Sequence, residues 1–150
     1  MRFCFDSKQF TDQAVDPDKL AVVGENGEIT WAEFESRVTD FCTFFRSKGW
    51  NQLKFPVILY GHKQVEMIVA VYALMQLEVP YIPADIIYPK DRVESIKQIS
   101  KTNLIINCSD EELDFQDVSI LSFRNNAFDL SQDAPVILAE EKPADPLVYL

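Results

Sequence analysis

The chain has 150 residues, 47% hydrophobic and 25% charged, with 14 Lys and Arg against 24 Asp and Glu for a net charge of −10. This length and apolar content suit one globular domain and argue against disorder or a coiled coil. No apolar run approaches the roughly 20 residues of a membrane helix, and Met1-Arg2-Phe3-Cys4-Phe5-Asp6 lacks a signal-peptide core, so a cytosolic protein is predicted. Cys4, Cys42 and Cys108 are far apart and the chain has one histidine, so neither a disulfide framework nor a zinc site is expected; the thiols are predicted free. Residues 109–150 carry ten acidic side chains against two basic ones, and no segment clusters the positive charge that nucleic acid requires.

In chain order, the first signal is 21–30, two short apolar runs around Asn26-Gly27, a pair suited to the positive φ angles of a type I′ hairpin turn. Thr30 and Glu33 then form a T-x-x-E capping box. Phe34, Val38, Phe41 and Phe45 recur at helical spacing as far as Gly49, a natural residue to follow a helix, so the spacing predicts a helix over 31–48 with an aromatic core-facing side. Phe55 to Tyr60 is a short apolar run that breaks at Gly61, as a buried parallel strand does. Val65 to Leu77 reads as a helix apolar on most sides.

Pro80-Tyr81-Ile82-Pro83 is expected to be extended, because each proline restrains the residue before it. Pro89 is placed as the first residue of a helix with Asp91 in its first turn, Val93, Ile96 and Ile99 on one face, and Lys97 and Lys101 complementing the dipole at its end. Leu104-Ile105-Ile106 and Val118-Ser119-Ile120-Leu121 read as further buried strands, and 146–150 as another beginning. The alternation predicts an α/β three-layer sandwich with a mostly parallel sheet, entered through the N-terminal β-hairpin.

Motifs of the common nucleotide and hydrolase sites are absent: no G-x-G-x-x-G, no G-x-x-x-x-G-K-[ST] and no G-x-S-x-G occurs, and only four glycines are present. His62, just past a parallel strand, is the one candidate acid–base residue, but no acidic or nucleophilic partner lies near it in sequence and a capping or loop role is favoured. Asp85 is read as a loop carboxylate rather than a metal ligand, and the acidic tract 109–114 as a solvated loop rather than a docking tail.

Beyond these patterns, Ile29-Thr30-Trp31-Ala32-Glu33-Phe34 and Leu74-Met75-Gln76-Leu77-Glu78-Val79-Pro80-Tyr81-Ile82-Pro83-Ala84-Asp85 resemble, in order and wording, the first two shared motifs of the AMP-forming adenylate-forming superfamily. Tyr60-Gly61-His62, Glu66-Met67-Ile68, the Tyr81-to-Asp85 stretch and Pro89-Lys90-Asp91-Arg92-Val93 are similar to the branch that activates D-alanine for a carrier protein. Leu77-Glu78 stands where that family has Ala-Gly, so the corner after the helix is expected to be built otherwise than as a left-handed glycine turn. The resemblance implies that residues 1–150 are the N-terminal portion of an adenylation domain, ending before its phosphate loop. The whole protein would then be a ligase using ATP and Mg to load an amino acid on a carrier protein. It also implies that no catalytic, cofactor-binding or metal-binding position falls within these residues. The rival readings are adenylation of a different carboxylate and a stand-alone α/β interaction module without catalysis, using its acidic C-terminal third.

Overall fold

The computed structural model describes residues 16–139. Strand β1 (Leu20–Gly24) pairs antiparallel with β2 (Gly27–Thr30), and helix α1 (Trp31–Ser47) starts at once from the predicted box. The Glu33 backbone N–H donates to Thr30 Oγ1 at 3.3 Å, and the Thr30 N–H donates to Glu33 Oε2 at 2.8 Å, satisfying two groups that the first helical turn would otherwise orphan. The Thr30 N–H also holds the Glu33 carboxyl below the usual carboxylate range. Gly49 follows the helix at φ 71°, as its place in the sequence required. A short 3₁₀ turn (Trp50–Gln52) leads toward the sheet.

The main sheet comprises β3 (Val57–Gly61), β4 (Tyr81–Asp85), β5 (Leu104–Asn107), β6 (Ser119–Arg124) and β7 (Ala127–Gln132), in the spatial order β4-β3-β5-β6-β7. All pairings are parallel except β6 with β7. Helix α2 (Val65–Gln76) links β3 to β4, and α3 (Lys90–Ser100) links β4 to β5. Because β4 and β5 lie on opposite sides of β3, the right-handed crossover rule sends α2 and α3 to opposite faces. Side-chain alternation agrees: Val57, Leu59, Leu104, Ile106 and Leu121 join the core under α1 and α2, while Ile58, Tyr60, Ile105 and Ile120 join Val93 of α3. Both faces of the central strands are covered, which is why they read as continuous apolar runs. The expected three-layer α/β sandwich with an N-terminal hairpin is therefore the observed fold.

Four local expectations are corrected. The β1–β2 turn is Glu25-Asn26, and neither has positive φ; Gly27 takes φ 141° instead, so this is not a type I′ turn. The type I′ pair is Asn125 (φ 50°) and Asn126 (φ 56°), joining β6 to the unpredicted β7. At the corner after α2, Glu78 has φ 54°, with its N–H donating to Met75 O at 3.1 Å and the Val79 N–H to Leu74 O at 2.9 Å. Those two bonds define a Schellman motif, so Glu78 adopts the left-handed turn that a glycine would take. Pro89 caps α3 rather than entering it, and Ile99 is 84% exposed, so the buried face of α3 rests on Val93 with Ile96 partly covered. Lys97 is the basic residue of the last turn, as expected, and is also buried, donating to Gln116 O at 2.6 Å and pairing with Glu94 at 2.8 Å, which fastens α3 to the loop before β6.

The stretch 81–83 expected to be extended is edge strand β4. The Val57 N–H donates to Pro80 O and the Ile86 N–H to Gly61 O, so even-numbered residues of β4 face β3 and Pro83 turns its missing donor outward. The signal for β7 was present as alternation: Phe128 and Leu130 turn inward and Ala127, Asp129 and Ser131 outward. Phe128 stacks on Phe44 (4.4 Å between centroids) and Phe123 (4.9 Å), and Phe41 meets Phe45 at 4.8 Å and Phe123 at 5.2 Å, so the aromatic face of α1 is core, as predicted. Cys42 and Cys108 are free and buried, and burial raises both thiols; Cys4 and the expected strand at 146–150 lie outside the described residues.

Phe41 is fully buried, so Phe41→Ala is expected to cost about 3–5 kcal/mol in urea melts, whereas an unchanged midpoint would contradict a core position. Glu78→Gly is expected to stabilise by about 0.5–1 kcal/mol by removing a side chain from left-handed backbone, and a destabilised variant would show that the Glu78 side chain contributes more than its conformation costs.

Candidate functional site

The C-terminal ends of the parallel strands gather the polar groups. Gly61 of β3 lies opposite Asp85 of β4, and Tyr60 opposite Asn107 of β5. The edge between β3 and β5 is where the strand order reverses, and there the helices leave on opposite faces and open a crevice.

His62, the residue after β3, has its backbone N–H bound to Gln64 Oε1 at 2.6 Å. Its ring Nδ1 lies 2.8 Å from Asp85 Oδ2 and its Nε2 3.7 Å from Glu25 Oε1. The two candidates weighed separately in the sequence therefore meet, and the acidic partners that His62 lacks locally come from β4 and the hairpin. Parallel pairing of two strand ends brings residues 23 positions apart together, which no spacing rule announces. The other Asp85 oxygen accepts the Ile87 N–H at 3.0 Å. That bond, followed by the one from His62, holds the Asp85 carboxyl below its ordinary value of 3.8. The carboxylates sit on opposite ring nitrogens and cannot converge on one ion, and no metal-binding group of His, Cys, Asp or Glu occurs among the described residues.

A second cluster lies beside it. Asn26 Oδ1 accepts the Val65 N–H at 2.9 Å, capping α2 from the hairpin, and Asn26 Nδ2 donates to Glu66 Oε2 at 2.6 Å. Glu66 is 2% exposed; its other oxygen accepts the Asn125 N–H at 2.9 Å, so one carboxylate joins both hairpin turns. A position in the first turn of α2 also favours its negative charge. The hairpin approaches closely enough that a Cβ on Gly24 would fall 2.7 Å from Lys63 O, and the Glu25 N–H donates to that same oxygen at 2.9 Å.

On the α3 face, a cavity of about 260 Å³ is lined by Tyr60, Tyr88, Lys90, Val93, Glu111 and Phe115 among others. Tyr60 donates to Glu111 Oε2 at 2.7 Å, and burial, then this carboxylate, push its hydroxyl well above the ordinary range. The acidic tract is thus not merely solvated: Glu111 is tied at its side chain by Tyr60 and at its carbonyl by Asn107 Nδ2, at 2.7 Å each, while Asp110 meets Arg124 at the surface.

The turn from β3 into α2 is poorly suited to a phosphate. Its first helical N–H is taken by Asn26, and Glu25, Glu66 and Asp85 surround it with negative charge.

A doubly covered parallel sheet whose polar residues gather at the strand C-termini is the build of ligand-handling α/β domains. The chain belongs to the AMP-binding enzyme family, whose description matches residues 10–147. It is 34% identical over 104 residues to the D-alanine–D-alanyl carrier protein ligase of Bacillus licheniformis, covering 69% of this chain and 20% of that protein. With the ligase of the same name from Staphylococcus epidermidis the identity is 27% over 135 residues, 89% of this chain and 26% of that one. The solved structure of CmiS6 shares the fold at a TM-score of 0.72 and 18% identity, over 85% of this chain and 32% of that chain. The chain therefore spans about a fifth to a quarter of the length of these two ligases. No described helix is long and apolar enough to cross a membrane.

The pH dependence of Asp85 follows from its lowered value. Its stabilising charge is fully present above the unfolded value of 3.8 and is lost as pH falls through the lower folded one. Asp85→Asn is expected to melt lower than the parent at neutral pH, with the gap closing as pH falls below the unfolded value of 3.8. A gap that stays constant in thermal melts across that fall in pH would show that the charge contributes nothing.

Proposed function

We propose that residues 1–150 are the N-terminal portion of an adenylation domain. The whole protein would be an ATP-dependent ligase that activates a small amino acid, D-alanine first, as the aminoacyl-adenylate and passes it to a carrier-protein thiol. The observation that carries this reading is the 34% identity over 104 residues with a D-alanine–D-alanyl carrier protein ligase, set within a family match over 10–147. The wording of Tyr60-Gly61-His62 and Tyr81-Ile82-Pro83-Ala84-Asp85 supports the same branch.

In this reading none of residues 1–150 is catalytic, cofactor-binding or metal-binding. The residues at the strand ends do not fit ATP or Mg: their helix N–H is already capped, their charge is negative, and their carboxylates are spent on His62, Ile87, Asn26 and Asn125. What they do is fix the edge of the sheet, so that segments carrying phosphate and substrate contacts dock on a preorganised base. The adenylation chemistry belongs to residues beyond these.

ATP–pyrophosphate exchange tests the reading. The complete protein is expected to exchange with D-alanine and magnesium in preference to L-amino acids and short fatty acids, and the 150-residue chain alone is expected to show no turnover. Preference for a fatty acid would refute the branch while leaving adenylation standing. Turnover by the 150-residue chain would refute the scaffold assignment, and no turnover with any carboxylate would favour an interaction module.

A further inference from the structure

The Asn26-Gly27 step, whose amide side chain holds the hairpin to α2, is also chemically labile. It is the single Asn-Gly in the sequence. Gly27 has no side chain to shield its nitrogen, and the space where its Cβ would stand is open, with nothing within 4 Å. In such a step the Gly27 nitrogen attacks Asn26 Cγ. The N–Cγ bond forms, the Cγ–Nδ2 bond breaks, and the amide nitrogen leaves as ammonia carrying the Gly27 proton. Water then opens the succinimide, either at Cγ to leave an aspartate or at the backbone carbonyl to leave an isoaspartyl link.

While the hairpin is docked, both amide atoms are occupied: Oδ1 by the Val65 N–H at 2.9 Å and Nδ2 by Glu66 at 2.6 Å. Those bonds hold the amide against the helix, and reaction must break them. Once the amide is converted, the donor facing Glu66 becomes a carboxylate oxygen. Two carboxylates then face each other at a side chain that is 2% exposed, where the amide had supplied a donor.

We propose that Asn26 is a deamidation site, guarded by α2 while the hairpin is docked, and that its conversion irreversibly breaks the hairpin's polar attachment to Glu66. The reaction needs only water, and the product cannot re-form the bond that protected its precursor.

Ageing the protein at mildly alkaline pH with and without urea, followed by peptide mapping by mass spectrometry, reads the first half. Asn26 is expected to be the principal converted asparagine, ~10-fold or more slowly in the native protein, because reaction requires local opening. Equal rates in the two solvents, or conversion concentrated at another asparagine, would overturn the proposal. For the second half, Asn26→Asp is expected to lower the urea midpoint, and adding Glu66→Gln to restore most of it, since the new amide donates to the new carboxylate and the Val65 and Asn125 bonds are kept. An unchanged midpoint for Asn26→Asp, or a double variant no more stable than the single one, would refute it even if Asn26→Asp alone folds poorly.

Discussion

The Glu66 carboxylate is the point on which the arrangement of this chain turns. A carboxylate that is 2% exposed is costly unless its oxygens are satisfied. Here both are: one oxygen takes the Asn26 amide from the first hairpin and the other the Asn125 N–H from the second. Those turns lie 40 and 59 residues from Glu66 in opposite directions. The α2 N-terminus, the β1–β2 hairpin and the β6–β7 hairpin are thereby bound to one group. Removing any partner leaves a buried acceptor without a donor, a larger penalty than the loss of a hydrogen bond in water.

That knot sits at a consequential place. The chain steps from β3 to β4 on one side and then back across to β5 on the other, so α2 and α3 take opposite faces, and the ends of β3, β4 and β5 become the open rim of the sheet. Hydrogen bonds to His62, Asp85, Tyr60 and Glu111 brace the rim on both sides of β3. The outer edge of β4 is interrupted by Pro83, which denies a donor to any strand approaching from that side. In the proposed reading, a rim already tied by these hydrogen bonds carries other segments rather than holding a polyphosphate itself.

Membership in the AMP-binding enzyme family gives this geometry a context. Substitutions relative to the expected motif wording are absorbed without changing the backbone: Glu78 stands in left-handed conformation at φ 54° and keeps both Schellman bonds. The corner is dictated by the two carbonyls that need donors and by the burial of both Leu74 and Val79 in one core. Its residue type changes the cost of the turn, not its shape.

Signals that act within a few residues were readable from the sequence. The Thr30–Glu33 box, the aromatic spacing from Phe34 to Phe45, the apolar runs of β3 and β5 and the proline-restrained segment at 80–83 each reflect a local rule of backbone geometry or periodicity. The first turn departs from type I′ because its central pair is Glu25-Asn26 and Asn26 is held by Val65 and Glu66, partners the dipeptide does not announce. His62 looked partnerless for the same reason: Asp85 and Glu25 arrive through strand pairing and hairpin docking. Sequence alone determined the helices, the strands other than β7 and the aromatic core face of α1, since periodicity and capping are short-range. Only the tertiary structure decided which polar residues meet, because the bonds of Glu66, His62 and Asp85 depend on strand order and on the register in which distant segments close.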